Sequence, residues 1–144
     1  MKPMIIVNGM ATAGKDTFVD LLGKYARIYK YSSIDKVKEI ARACGWDGRK
    51  TEESRAFLSE LKMLTTKHLD MSYKDVINKY HDFVDNPAYD VMSVFIREPE
   101  DIERIRLACD AITVLVINDR VPIITSNYGD AHVFEYGYDY SIKN

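Results

Sequence analysis

Nine residues near the start of the chain, Gly9-Met10-Ala11-Thr12-Ala13-Gly14-Lys15-Asp16-Thr17, have the types and spacing that suit the binding of phosphate. Two glycines separated by four residues let the backbone fold tightly around an anion, with successive N–H groups turned inward. A helix that begins at Lys15 adds the positive end of its dipole, and the Lys15 ammonium can reach the β- and γ-phosphates of a triphosphate. Gly9, Ala11, Thr12, Ala13, Gly14, Lys15, Asp16 and Thr17 are therefore the expected nucleotide-binding residues. Asp16 stands where such a loop ordinarily carries the Ser or Thr that binds Mg²⁺. Magnesium keeps several of its waters and takes few protein ligands. The expected metal-side residues are thus Asp16, acting through a water, and Thr17, the one hydroxyl in the loop's exit turn.

Phosphoryl transfer asks the protein mainly for cations around the moving group and for positioning of donor and acceptor. Arg97 follows an apolar run and is expected at the same rim as the loop, where it either serves the transferring group or pairs with Glu98 or Glu100. Arg120 follows a second such run and is either catalytic or a plain turn residue. Arg55 can hold an acceptor phosphate with its planar fork, or be a solvated helix charge. Asp35 can touch the acceptor or metal waters, or cap a helix. His68, His81 and His132 show no ligand spacing, and the tyrosines near the C-terminus (Tyr128, Tyr136, Tyr138 and Tyr140) suit packing over a sheet edge.

The elements that position these residues follow from hydrophobic periodicity. Met4–Val7 is a short apolar run, as in a strand buried on both faces. Phe18, Leu21, Leu22, Tyr25 and Ala26 recur at helical spacing directly after the loop. Tyr29–Ser33 reads as a second strand. Val37, Ile40, Ala41 and Cys44 mark a helix stopped by Gly45, and 46–50 reads as a loop. Thr51 caps a long helix with Phe57, Leu58, Leu61, Leu64 and Leu69 as its apolar stripe. Ser72 and Asp75 form a capping box for a further helix carrying Val76, Ile77, Tyr80, Phe83 and Val84, closed at Asn86-Pro87. Val91–Ile96 is strand-like, and Pro99 opens a helix through Ile102, Ile105 and Cys109. Ile112–Ile117 is a strand, 120–132 is irregular, and Tyr138–Ile142 is a last strand.

Alternating strands and helices predict an α/β fold, a parallel sheet of about five strands with helices on both faces. Sites in such sheets lie beyond the C-terminal strand ends. The all-helical middle, about 35–86, is expected to be a substrate-binding lobe within one domain spanning 1–144.

At 144 residues, 47% hydrophobic and 29% charged, the composition is that of one globular domain and excludes a disordered or fibrous chain. A formal charge of −2 argues against duplex nucleic acid or an anionic membrane as partner. Cys44 and Cys109 are far apart and are expected to be packed, reduced thiols. The opening apolar run is too short for a signal peptide, and no stretch approaches a membrane span, so a cytoplasmic location is expected. Oligomeric state is left open.

The run Gly14-Lys15-Asp16-Thr17 resembles the GKDT loop of phage-type deoxynucleoside monophosphate kinases, within the P-loop nucleoside monophosphate kinase-like family, and that of phosphomevalonate kinases. The resemblance continues in order along the chain. Residues 33–41 resemble the family's second-strand exit, and Gly45–Lys50 with Arg55 and Leu58 its monophosphate-side segment. Residues 96–101 resemble a "DVRFPNE" stretch, and 138–144 a "DYVIDN" end. The resemblance implies a three-layer P-loop fold and an ATP- and Mg²⁺-dependent kinase acting on a small-molecule nucleotide, most plausibly a (deoxy)nucleoside monophosphate. In that scheme Lys15, Arg97 and Arg120 are catalytic, and Asp35 and Arg55 bind the acceptor. Two departures stand out. Phe95 occupies the position where the family ends its third strand in Asp, and the chain stops at Asn144 where such kinases often carry a final helix. They leave two other readings open: a nucleotide-binding module that has lost catalysis, and a kinase of another small metabolite.

Overall fold

Short runs of aliphatic residues, each led into or out of by a helix, build a five-stranded parallel sheet in the computed structural model, which describes residues 2–125 and 128–144. The strands are β1 (Met4–Asn8), β2 (Ile28–Ser32), β3 (Val91–Phe95), β4 (Ile112–Ile117) and β5 (Tyr140–Lys143), in the order β2-β3-β1-β4-β5. Val7 of central β1 lies beside Phe95 on one flank and Val114 on the other. The chain leaves β1 toward the β2 edge and leaves β3 toward the opposite side of β1. Strand order therefore reverses beside β1, the place where an open α/β sheet leaves a crevice.

Alternate side chains of β1 serve opposite faces. Ile5 and Val7, with Val116, pack against Phe18 and Val19 of α1 (Lys15–Leu22). Met4 and Ile6, with Met92 and Val94, pack against the other layer. There α4 (Met71–Val84) supplies Val76, Tyr80 and Phe83, and α5 (Pro99–Cys109) supplies Ile102, Ile105 and Cys109. The α/β class with helices on both faces is thus as expected. The helical middle divides in two. α4 belongs to this core layer, whereas α2 (Asp35–Ala43) and α3 (Glu52–Leu69) stand at its margin.

Several local expectations hold for the reasons given. Thr51 accepts the Ser54 N–H as the N-cap of α3, and Gly45 follows α2 with φ of 109°. Others need correction. α1 ends at Leu22, with Gly23 as its C-cap, so Tyr25 lies outside the helix and is 89% exposed. The apolar stripe of α3 is not a core face, because Phe57, Leu64 and Leu69 are exposed and Lys62 is its one buried residue. The Ser72–Asp75 capping box does not form. Asp70 is the N-cap of α4, Ser72 lies inside the helix with its hydroxyl unpartnered, and Asp75 accepts the Tyr31 hydroxyl. Cys109 is buried as expected, but Cys44 is exposed.

Strand β5 starts at Tyr140, two residues later than expected. Within the stretch 120–132, a short helix α6 (Tyr128–Ala131) forms, while Ser126 and Asn127 lie outside the described residues. No helix among the described residues is long and apolar enough to cross a membrane.

Candidate active site

Beyond the C-terminal ends of β1, β2 and β3 lies a cleft of about 960 Å³, at the large end for small-molecule sites. Its floor is the loop between β1 and α1. Asn8 Oδ1 accepts the Gly9 N–H at 2.8 Å, and Ala13 N–H closes a turn onto the Met10 carbonyl at 3.0 Å. Thr12 at φ 64° and Gly14 at φ 109° occupy left-handed backbone. A Cβ on Gly9 would stand 2.5 Å from the Val116 carbonyl oxygen, so the loop passes β4 at a distance that only glycine allows.

The last residue in the sequence, Asn144, clips this loop. Its N–H donates to the Ile117 carbonyl at 2.7 Å and its side-chain Nδ2 donates to the Ala13 carbonyl at 3.1 Å. In a trans peptide the C=O and N–H are antiparallel. Holding the Ala13 carbonyl toward Asn144 therefore turns the Gly14 N–H the opposite way. The first amides of α1 likewise have no partner within the helix.

Of the loop residues, Ala11, Thr12, Lys15 and Asp16 face the cleft. Lys15 Nζ donates to the Gly9 carbonyl at 2.8 Å and lies 6.0 Å from the centre of the Phe95 ring. Burial, and next the charge of Arg97, bring the Lys15 ammonium down to about 8, against the opposing pull of Asp130 and Asp16. Arg97, just past β3, donates to Asp130 of α6 at 2.8 Å. The Asp130 side chain is only 4% exposed. The loop's neighbourhood thus holds two cations matched by two carboxylates.

Further cations reach the cleft from α2, α3 and the loop between them. Lys38, Lys50 and Arg55 line the cleft and form no ion pair among the described residues. Burial, opposed by Asp35, and then nearby Lys50 and Arg97, push the Lys38 ammonium below its usual value. Asp35 opens α2 and accepts the Ser32 N–H at 3.1 Å, with its carboxylate on the cleft wall. On the α3 side, buried Lys62 pairs with Glu98 and lies 3.4 Å from Asp101. Burial raises the Asp101 carboxyl, Lys62 opposes that, and Glu98 adds to it.

Among the sequence candidates, the fold brings Lys15, Asp16, Asp35, Arg55 and Arg97 to one cleft. Thr17 is exposed on α1 and is not among the described residues lining it. Arg120 is exposed as well, with its N–H on Asn118 Oδ1 at 3.0 Å, and it too stands outside the described lining. Lys38, Lys62, Asp130 and Asn144 were not singled out in the sequence. Lys38 had a signal, its position one helical turn after Asp35. Asp130 and Asn144 had none, since each acts on a residue far away in the chain.

The carboxylate oxygens of Asp16 and Asp35 are the hard donors that suit Mg²⁺. Yet no group of three or more His, Cys, Asp or Glu side chains converges as a metal cage among the described residues.

The class these features define is an α/β protein whose parallel sheet carries a tight glycine loop, leading directly into a helix, at its switch point. The chain matches no protein-family model and no curated protein. Among solved structures it is similar to the "Crystal structure of TT1252 from Thermus thermophilus", with a TM-score of 0.52 and 14% identity over 99% of this chain and 88% of that one. At that identity the likeness shows the fold alone.

Proposed function

We propose that the chain binds ATP with Mg²⁺ and transfers the γ-phosphoryl group to a small phosphorylated acceptor, most simply a (deoxy)nucleoside monophosphate, in the cytoplasm. The observation that supports this reading is the gathering of cations from separate elements on one cleft. Lys15 and Arg97 stand there with Lys38, Lys50 and Arg55.

In this reading the loop amides and Lys15 hold the donor phosphates. Arg97 stabilises charge on the equatorial oxygens of the moving group. Arg55, Lys38 and Asp35 hold the acceptor. Because an acceptor phosphate is already ionised near neutral pH, no general base is needed to activate it. Mg²⁺ bound with the nucleotide would supply charge neutralisation on its phosphates, and Asp16 is the loop carboxylate on the cleft that would hold it through a water.

A specific observation favours a second reading, a binding module without catalysis. Phe95 places an aromatic ring beside Lys15 where the resemblance implies an acid. Coupled ADP-release assays across the nucleoside monophosphates, with and without Mg²⁺, separate the two. The kinase reading expects Mg²⁺-dependent turnover with at least one acceptor and its loss in Lys15→Ala, which removes a loop cation and no core packing. ATP binding without turnover on any acceptor would establish the module. Equal ATP binding by Lys15→Ala and wild type would remove both.

A further inference from the structure

We infer that the exposed face of α3 pairs with the same face of a second copy of this chain, the two helices running antiparallel about a two-fold axis. The inference lies outside the proposed function and does not depend on it. It begins from a stripe that the fold leaves uncovered. Phe57, Leu61, Leu64 and His68 follow one another at intervals of four, three and four residues, so they share one side of the helix in the spacing of a two-helix seam. Phe57 is 37% exposed and Leu64 57%, His68 is exposed, and Leu61 is half-buried. Lys62, the buried residue of α3, falls on a different side. Apolar residues exposed singly are ordinary, whereas a row of them along one helix marks a surface that associates.

The charges beside the stripe say what covers it. Glu60 and Lys67 lie along one flank, both are exposed, and neither forms an ion pair among the described residues. An antiparallel pair can set Leu61 against the partner's Leu64. That register places the Phe57 ring opposite the partner's His68, an aromatic pair at each end of the seam. It also leaves Glu60 and the partner's Lys67 only about 3 Å apart along the axis, at a helical rise of about 1.5 Å per residue. Two long side chains span that offset easily.

A two-fold axis makes each of these pairs twice. Parallel helices would instead set like charges together, Glu60 beside the partner's Glu60 and Lys67 beside the partner's Lys67. Antiparallel helices also bring opposite dipole ends side by side. A partner surface of a single charge sign would be repelled by either Glu60 or Lys67. The face is thus complementary to itself, and a second copy is the occupant that meets the apolar stripe and both charges at once. Lys67 also lines the cleft, so the interface reaches the cleft rim.

Sedimentation velocity from micromolar to millimolar protein tests the pairing, with circular dichroism melts as the folding control. The wild-type chain should show a reversible monomer–dimer equilibrium. Leu64→Glu places a carboxylate in the seam and should abolish the dimer. Glu60→Lys and Lys67→Glu should each weaken it by about tenfold, because one reversal acts twice across the axis. Glu60→Lys combined with Lys67→Glu rebuilds both pairs with their signs exchanged, and should return the affinity to within about threefold of wild type. That recovery is a readout that a merely unfolded variant cannot give.

A wild-type chain that is monomeric throughout would overturn the inference and leave the stripe to a different macromolecule. A dimer indifferent to Leu64→Glu would overturn it too, since such a dimer uses another surface. A double reversal weaker than either single one would show that Glu60 and the partner's Lys67 do not meet, and the antiparallel register would fall.

Discussion

A single titration on Lys15 gives ATP binding a pH dependence that can be worked out in advance. The perturbation is pH itself, raised from 7 to 9.5 at constant ionic strength. With the ammonium at about 8 in the free protein, roughly nine-tenths of the molecules carry the charge at pH 7 and about 3% at pH 9.5. Bound phosphate favours the charged form, so the group's pKa rises on binding and the complex takes up a proton. Affinity is therefore flat, as far as Lys15 is concerned, below pH 7, and falls as pH climbs from 8 toward the bound value. If the bound pKa lies above 9.5, the dissociation constant weakens by about 30-fold over the range, approaching tenfold per unit at its steepest.

Calorimetry in two buffers of different ionisation enthalpy gives both the dissociation constant and the protons taken up per ATP. Proton uptake should rise from near zero at pH 7 toward one at pH 9. Lys15→Arg keeps its charge throughout and should flatten both curves. A dissociation constant constant to within a factor of two from pH 7 to 9.5, with no proton uptake, would refute the reasoning: Lys15 would then either stay charged in the free protein or not meet the phosphates.

Two substitutions test other parts of the cleft. Arg97→Lys keeps the charge but loses the planar fork, so turnover should fall by roughly one to three orders of magnitude with little change in ATP affinity. Arg120→Lys, exposed and outside the described lining, is the comparison and should be nearly silent; equal losses in both would put Arg120 back at the centre. Lys62→Ala leaves Glu98 and Asp101 facing each other without their cation, which should cost roughly 3–5 kcal/mol at pH 8. Asp101 is already raised by burial, so acid can protonate it and relieve the repulsion. Urea unfolding should accordingly show a smaller loss at pH 5 than at pH 8, and equal losses would mean that packing alone explains the effect.

How legible all this was in the sequence depended on distance along the chain. β1, its loop and β4 are continuous or regularly spaced patterns, and the Thr51 cap and the stop at Gly45 depend only on neighbours. All were readable. α3 misled because its leucines obey helical spacing without having a layer to face, while the residue that is buried is Lys62, held by carboxylates 36 or more positions away. The capping box failed for a similar reason. Asp75 had a competing donor, the Tyr31 hydroxyl, 44 residues earlier. Asp130 lies in an aperiodic stretch, 33 residues from Arg97, and nothing local marks it. Residue type together with position, after an expected strand or in the helical middle, made Arg97, Asp35 and Arg55 candidates. Which of them share a cleft depended on the strand order.

The clip between Asn144 and the glycine loop ties the loop's geometry to an exposed edge strand of the sheet. All four residues of β5 are exposed, and among the described residues its one ladder is with β4. Edge strands of this kind open at a small fraction of the global unfolding free energy. Each opening releases the Ala13 carbonyl and lets the Ala13–Gly14 peptide rotate, so the Gly14 N–H spends part of its time aimed elsewhere. Linkage makes the relation reciprocal. An anion seated on the Gly14 N–H slows fraying of β5, to be seen as amide protection far from the anion. On the proposed function, any contact that closes the outer edge of β5 would tighten the grip on phosphate by the same factor.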